Sequence, residues 1–251
     1  MGRRLVVAMS VMLCLVTSAG AQTPEERAVA RDLIAKHGDA VIIVLGTTKV
    51  RVNQGGKEVQ NQDQRLQSLV TLLDSSGLGV MSLTALDPSE FATAQLSRGR
   101  GAGGGISVTT EPSELRYRMA DGREVPVRVV LRDKELDLAF LRPMEKPSAL
   151  MPAIDTPAAK VGVLDGVISV QRLPEVAGWQ STAMFFTVQA VVEKPRTFYF
   201  LTGGTAGSPV FDTRGRFVGI VLRLKNEADA AAAPFILLPA SDIREVAKQA
   251  K

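Results

Sequence analysis

From residue 40 onward the chain is a succession of short apolar runs rich in Val, Ile, Leu and Thr, broken at close intervals by Gly, Asp and Asn. The runs are "AVIIVLGTTKVRV", "RLQSLVTLLDSSGLGVMSL", "ELRYRMADGREVPVRVVLRD", "LDLAFLRP", "GVISVQRL", "FFTVQAVVE", "TFYFLTGG", "SPVFDTRGRFVGIVLRL" and "FILLPA". Short strands with turn signals between them, and almost no helix, fit an all-β barrel or sandwich. "DSSG", "ADGRE" and "DTRGR" read as hairpin turns, because Asp and Gly accept the backbone angles that a tight reversal demands.

Helix is expected only at the two ends. In "TPEERAVARDLIAKHGD" Thr23 is an N-cap, Pro24 takes the first helical position and Glu26 completes a capping box, while Gly38 marks the stop. His37, the one histidine, falls in the last turn, where the helix dipole favours a cation. "PASDIREVAKQAK" reads as a closing helix over 241–250, capped by Ser241, with Ile243 and Val246 turned inward. "SRGRGAGGGIS" (Ser97 to Ser107) lacks the lysine and serine of a phosphate cradle and reads as a mobile surface loop. "NEADAAAAP" (Asn226 to Pro234) reads as an insertion between strands.

Residues 1–21 have a basic start at Arg3 and Arg4, an apolar run from Leu5 to Val16 and a small-residue end, the pattern of a signal peptide cleaved after Ala21. The expected location is therefore periplasmic or secreted, with no membrane span after cleavage. Cys14, the only cysteine, leaves with the signal, so neither disulfide nor thiol chemistry is expected. The formal net charge is +4, and loss of Arg3 and Arg4 leaves +2, too little to argue for a nucleic-acid partner. One histidine and no ligand spacing give no metal site, and no motif asks for a cofactor.

The most informative stretch is Thr202 to Asp212, "TGGTAGSPVFD". With "DGREVPVRVVLRDKELDLAFL" and "LLDSSGLGVMSLTAL" it resembles, in order and separation, the three catalytic segments of the trypsin-like serine peptidases, most closely the HtrA (Deg) type. The resemblance covers about residues 40 to 250 and implies two six-stranded β-barrels, over 39–145 and 146–240, with the active cleft between them. It places the histidine position on Thr84, the carboxylate on Asp137 and the nucleophile on Ala206. A threonine hydroxyl is no base near neutral pH and a methyl group cannot attack a carbonyl, so the triad is degenerate. The scaffold implies an oxyanion-type pair of backbone donors at Gly204 and Ala206, and a cleft including Phe200, Thr205, Ser208 and Gly219. Phe200 falls near the base of the family's substrate pocket, although a core aromatic is the alternative. A buried Asp137 needs donors, and the Thr84 hydroxyl is the expected one. The chain ends at its last helix, so no PDZ module is expected.

The resulting expectation is a secreted non-catalytic pseudo-peptidase that binds a peptide or protein through its cleft or loops. Two alternatives stand beside it. One is an active serine endopeptidase with a relocated site, for which Ser208 is the substitute hydroxyl; the other is a structural envelope protein.

Overall fold

The computed structural model describes residues 22–98, 105–224 and 234–250. The expected signal segment, the centre of the glycine-rich loop and most of "NEADAAAAP" lie outside the described residues.

Helix α1 (Pro24–His37) opens as the sequence dictates: Thr23 accepts from the Glu26 N–H, and the Glu26 carboxylate accepts from the Thr23 N–H at 2.8 Å. Gly38 does not stop the helix in a left-handed turn. It continues in the right-handed region into a single 3-10 turn (Gly38–Ala40), and glycine is needed because a Cβ there would meet the Ser181 Oγ at 2.9 Å.

Twelve strands follow. β1 (Val41–Gln54), β2 (Lys57–Leu72), β3 (Gly79–Ser82), β4 (Ile106–Arg118), β5 (Glu124–Asp133) and β6 (Leu138–Pro143) close in the order β1-β2-β3-β6-β5-β4. β7 (Gly166–Arg172), β8 (Ser181–Val192), β9 (Phe198–Leu201), β10 (Pro209–Asp212), β11 (Phe217–Arg223) and β12 (Phe235–Pro239) close in the corresponding order β7-β8-β9-β12-β11-β10. The two barrels thus share one topology, and closure leaves no free edge within either ring. The three expected hairpin turns are present; in the last, Asp212 and Arg216 bond through their backbones and the Asp212 carboxylate accepts from Arg216 Nε at 2.7 Å.

The main core is continuous through both barrels, running from Val41, Ile42 and Phe140 in the first to Ile168, Phe211 and Ile220 in the second. Arg172 of β7 ties the barrels at the back: its almost fully buried guanidinium donates to the carbonyls of Val41, Gly38 and Trp179.

Three local features differ from the sequence reading. The polar stretch 57–65 is strand, because β1 pairs with β2 on one side and β4 on the other, so a solvated three-stranded ribbon extends beyond the barrel to the turn at Gly55-Gly56, both at positive φ. Two helices, α2 (Leu83–Leu86) and α3 (Ser89–Arg98), follow β3, where strand and loop were expected. Finally, α4 (Ala240–Ala247) begins after Pro239 with no side-chain cap; the Ser241 hydroxyl donates to Asp242 instead, while Ile243 is buried as expected.

His37 also departs from its expected role. Its ring stacks on Phe211 at 5.2 Å and an angle of 14°, it is buried, and Nδ1 has no partner. Burial, reinforced by Lys36, holds its pKa below the usual imidazole value, so the core outweighs the helix dipole and keeps the ring neutral. A base with a depressed folded pKa contributes stability that is present above its unfolded pKa and lost as pH falls through the folded one. The expected outcome is a melting temperature that drops between pH 7 and pH 5, with a shallower drop in His37→Phe, measured by calorimetry.

Candidate functional site

The site is built where β3, the β5–β6 connection and the β9–β10 and β11 segments converge. Ser82 ends β3 and caps α2, its hydroxyl accepting from the Ala85 N–H at 3.2 Å. That cap sets Thr84 on the first turn of α2. Asp137 precedes β6 at φ 57°, a left-handed conformation that aspartate tolerates better than most residues, and is only 3% exposed. Its carboxylate is met from both barrels. Oδ1 accepts from the Thr84 N–H at 2.7 Å; Oδ2 accepts from the Ser82 hydroxyl at 2.6 Å and from the Arg223 N–H of β11 at 2.9 Å. Burial pushes its pKa above the usual carboxylate value, and these donors pull it back in part. Thr84 therefore does reach Asp137, but mainly through its main chain; the Ser82 hydroxyl takes the place expected for that of Thr84, which contributes least to holding the charge.

The loop 202–208 reaches the same region from the second barrel. Gly204 lies at φ 155° and Gly207 at φ 86°. The Gly207 carbonyl accepts from the Thr71 hydroxyl of β2 at 2.8 Å, and the Gly207 N–H donates to Val221, two residues before Arg223. Ala206 is thus carried to the seam between the barrels by neighbours bonded to both sides of it. Among the described residues, the N–H groups of Gly204 and Ala206 donate to no protein acceptor.

Two residues assigned to the cleft from the sequence lie elsewhere. Ser208 is fully buried and donates to the Thr205 carbonyl at 2.6 Å, so its hydroxyl is committed inward. Gly219 sits within β11, where a Cβ would fall 1.9 Å from the Leu238 carbonyl oxygen; glycine is there for strand packing. Phe200 is half-buried, its ring meeting Phe198 edge-on at 5.7 Å and packing on the main core, which is the aromatic-core alternative. Thr205 is exposed at the loop and its hydroxyl donates to Gln171 Oε1 at 2.9 Å. Sequence reasoning missed Ser82, Thr71, Ser169, Gln171 and Arg223. A signal existed for two of them: Ser169 and Gln171 in "GVISVQRL" are polar residues two apart in an apolar strand, and so share one face.

Among the described residues no group of acidic, histidine or cysteine side chains is arranged to hold a metal, and no helix is long and apolar enough to cross a membrane.

Comparison with known proteins agrees with this geometry. Residues 105–220 match the trypsin-like peptidase domain family. Solved structures of HtrA-type proteases share the fold: AlgWS227A with a decapeptide, at TM-score 0.58 and 16% identity over 87% of this chain and 65% of that one, and AlgW with a tripeptide, at TM-score 0.53 and 15% identity over 87% and 62%. The chain therefore spans less than two thirds of the length of those proteins. A search of the curated proteins finds no match. Together, the paired barrels and the domain match give the chain the double-barrel fold of the trypsin-like peptidases, as seen in the HtrA-type proteases.

Two substitutions test how the site is held. Gly207→Ala forces a left-handed backbone, costing about 1–3 kcal/mol, and places its Cβ 2.4 Å from the Leu69 carbonyl oxygen. Asp137→Asn sets an amide NH2 against one of two backbone N–H donors, so a loss of about 1–3 kcal/mol is expected. Denaturant titration reads both; an Asp137→Asn variant as stable as the parent would show that the carboxylate is not needed to join the barrels.

Proposed function

We propose that the protein is a non-catalytic, extracytoplasmic relative of the trypsin-like peptidases that binds an extended peptide or protein segment between its barrels. The observation that carries this reading is the chemistry at the seam. Thr84 bonds Asp137, the loop of Ala206 docks on β2 of the same barrel, and peptide hydrolysis would need an imidazole at residue 84 and a hydroxyl at residue 206. The one imidazole, His37, is packed against Phe211 in the core, and the substitute hydroxyl expected from the sequence, Ser208, is buried and bonded inward. What the loop retains is a pair of unengaged N–H groups, able to receive an oxygen of a main chain. The AlgW structures of similar fold hold a decapeptide and a tripeptide, which favours a peptide as the class of ligand. The sequence of residues 1–21 supports the extracytoplasmic placement.

The test has two arms. Purified protein should leave casein intact and remain unlabelled by a fluorophosphonate, whereas an active peptidase with a relocated site would do neither. The double variant Thr84→His with Ala206→Ser should acquire measurable labelling, since it restores a base beside Asp137 and a nucleophile on the same loop. Casein turnover by the parent chain that one substitution abolishes would overturn the proposal.

A further inference from the structure

We propose that Ser169, Gln171, Thr205 and Ser208 form a positioning cycle that aims the Ala206 N–H outward, making the loop a standing receptor for a carbonyl or carboxylate oxygen of a peptide. The inference rests on the peptide-binding reading above and adds the residues that would set its geometry.

The four side chains close a ring in which each donor points to the next acceptor. The Thr205 hydroxyl donates to Gln171 Oε1 at 2.9 Å, Gln171 Nε2 to the Ser169 hydroxyl at 3.3 Å, and Ser169 to the Ser208 hydroxyl at 3.0 Å. Ser208 closes the ring on the Thr205 carbonyl at 2.6 Å, and its own N–H meets the same carbonyl at 3.1 Å. Two donors thus hold that carbonyl toward the interior of the second barrel. In a trans peptide unit the N–H lies opposite the C=O, so fixing the Thr205 oxygen inward fixes the Ala206 N–H outward. Gly207, docked on Thr71 and Leu69, prevents the rest of the loop from following a flip of that unit.

Packing alone does not account for the ring. Ser169, Gln171 and Ser208 are buried, and among the described residues their side chains bond only to one another and to Thr205. Apolar side chains would fill the same space without the cost of desolvating three polar side chains. A satisfied polar network instead confers a fixed geometry, and a donor fixed beforehand loses little freedom when an acceptor arrives. The acceptor could belong to a chain-terminal carboxylate or to an internal carbonyl, and the two share this chemistry.

The experiment uses the full chain labelled with nitrogen-15 and follows the Ala206 and Gly204 amide protons by NMR. The probes are N-acetyl-trialanine with a free carboxylate and the same peptide as its N-methylamide. In the parent chain both amide protons should move downfield with at least one probe; a larger response to the free acid assigns the receptor to chain ends, and a larger response to the amide assigns it to internal carbonyls. Gln171→Leu and Thr205→Val should weaken the response at least tenfold, with signals of the first barrel unmoved. Ser208→Gly breaks the ring without adding volume and guards against a folding defect in the other two. Variants that titrate like the parent would overturn the cycle as a positioning device while leaving peptide binding intact. A parent chain in which Thr84 and Arg223 amides respond but Ala206 does not would overturn the receptor and keep the binding reading. Silence at every amide of the seam would count against both.

Discussion

The Asp137 carboxylate is the point on which the two barrels and the site agree. It takes the Ser82 hydroxyl and the Thr84 N–H from one barrel and the Arg223 N–H from the other, with almost no contact with water. Removing a carboxylate from water is costly, and the cost is offset only if its lone pairs meet donors in good geometry. Each of the three donors is therefore constrained in turn: Ser82 as the cap of α2, Thr84 as the start of that helix, Arg223 as the end of a strand. An aspartate in such a position fixes its surroundings more than it adds net stability.

That arrangement gives the site a shape that is largely independent of the side chain at residue 84. The donors to Asp137 are mostly main chain, and main-chain positions do not depend on whether residue 84 is an imidazole or a threonine. The same holds for the loop at Ala206, whose conformation is set by Gly207 against Leu69 and Thr71 and by the buried ring behind Thr205. Geometry and reactivity are thus carried by separate groups of atoms in this molecule.

The strands, their turns and the barrel class were legible because apolar side chains recur at short intervals between Asp and Gly turns. The half of β2 over 57–65 was not, because it lies in a ribbon wetted along its length, where alternation of apolar and polar residues is not required. Helix α3 was hidden by a polar composition; its start at Asp87-Pro88-Ser89-Glu90 is visible in retrospect, with the Asp87 carboxylate accepting from the Ser89 N–H and hydroxyl. His37 ends α1 as expected, but its burial was missed for a different reason. A helix-end rule describes exposed termini, and whether that terminus would be covered by Phe211 depended on a contact across more than 170 residues of chain. The loop around residue 206 was legible because it is set by local glycine chemistry, whereas Ser82 and Arg223 become part of the site only when the barrels meet.

The ribbon formed by the outer parts of β1, β2 and β4 carries a mechanical implication. It leaves the first barrel at Gly46, where the pairing of β1 with β4 shifts register and where a Cβ would press on the Ser113 carbonyl oxygen. Beyond that bend, an ion pair joins Arg65 to Glu175 of the second barrel, both more than half exposed, while Thr93 of α3 and Asp87 just before it bond β4 at Val108 and Thr110. Exposed pairs of this kind are weak and screened by salt. Salt therefore loosens only one of the arm's two supports, and the neutral and short-range bonds from the α3 side keep their strength.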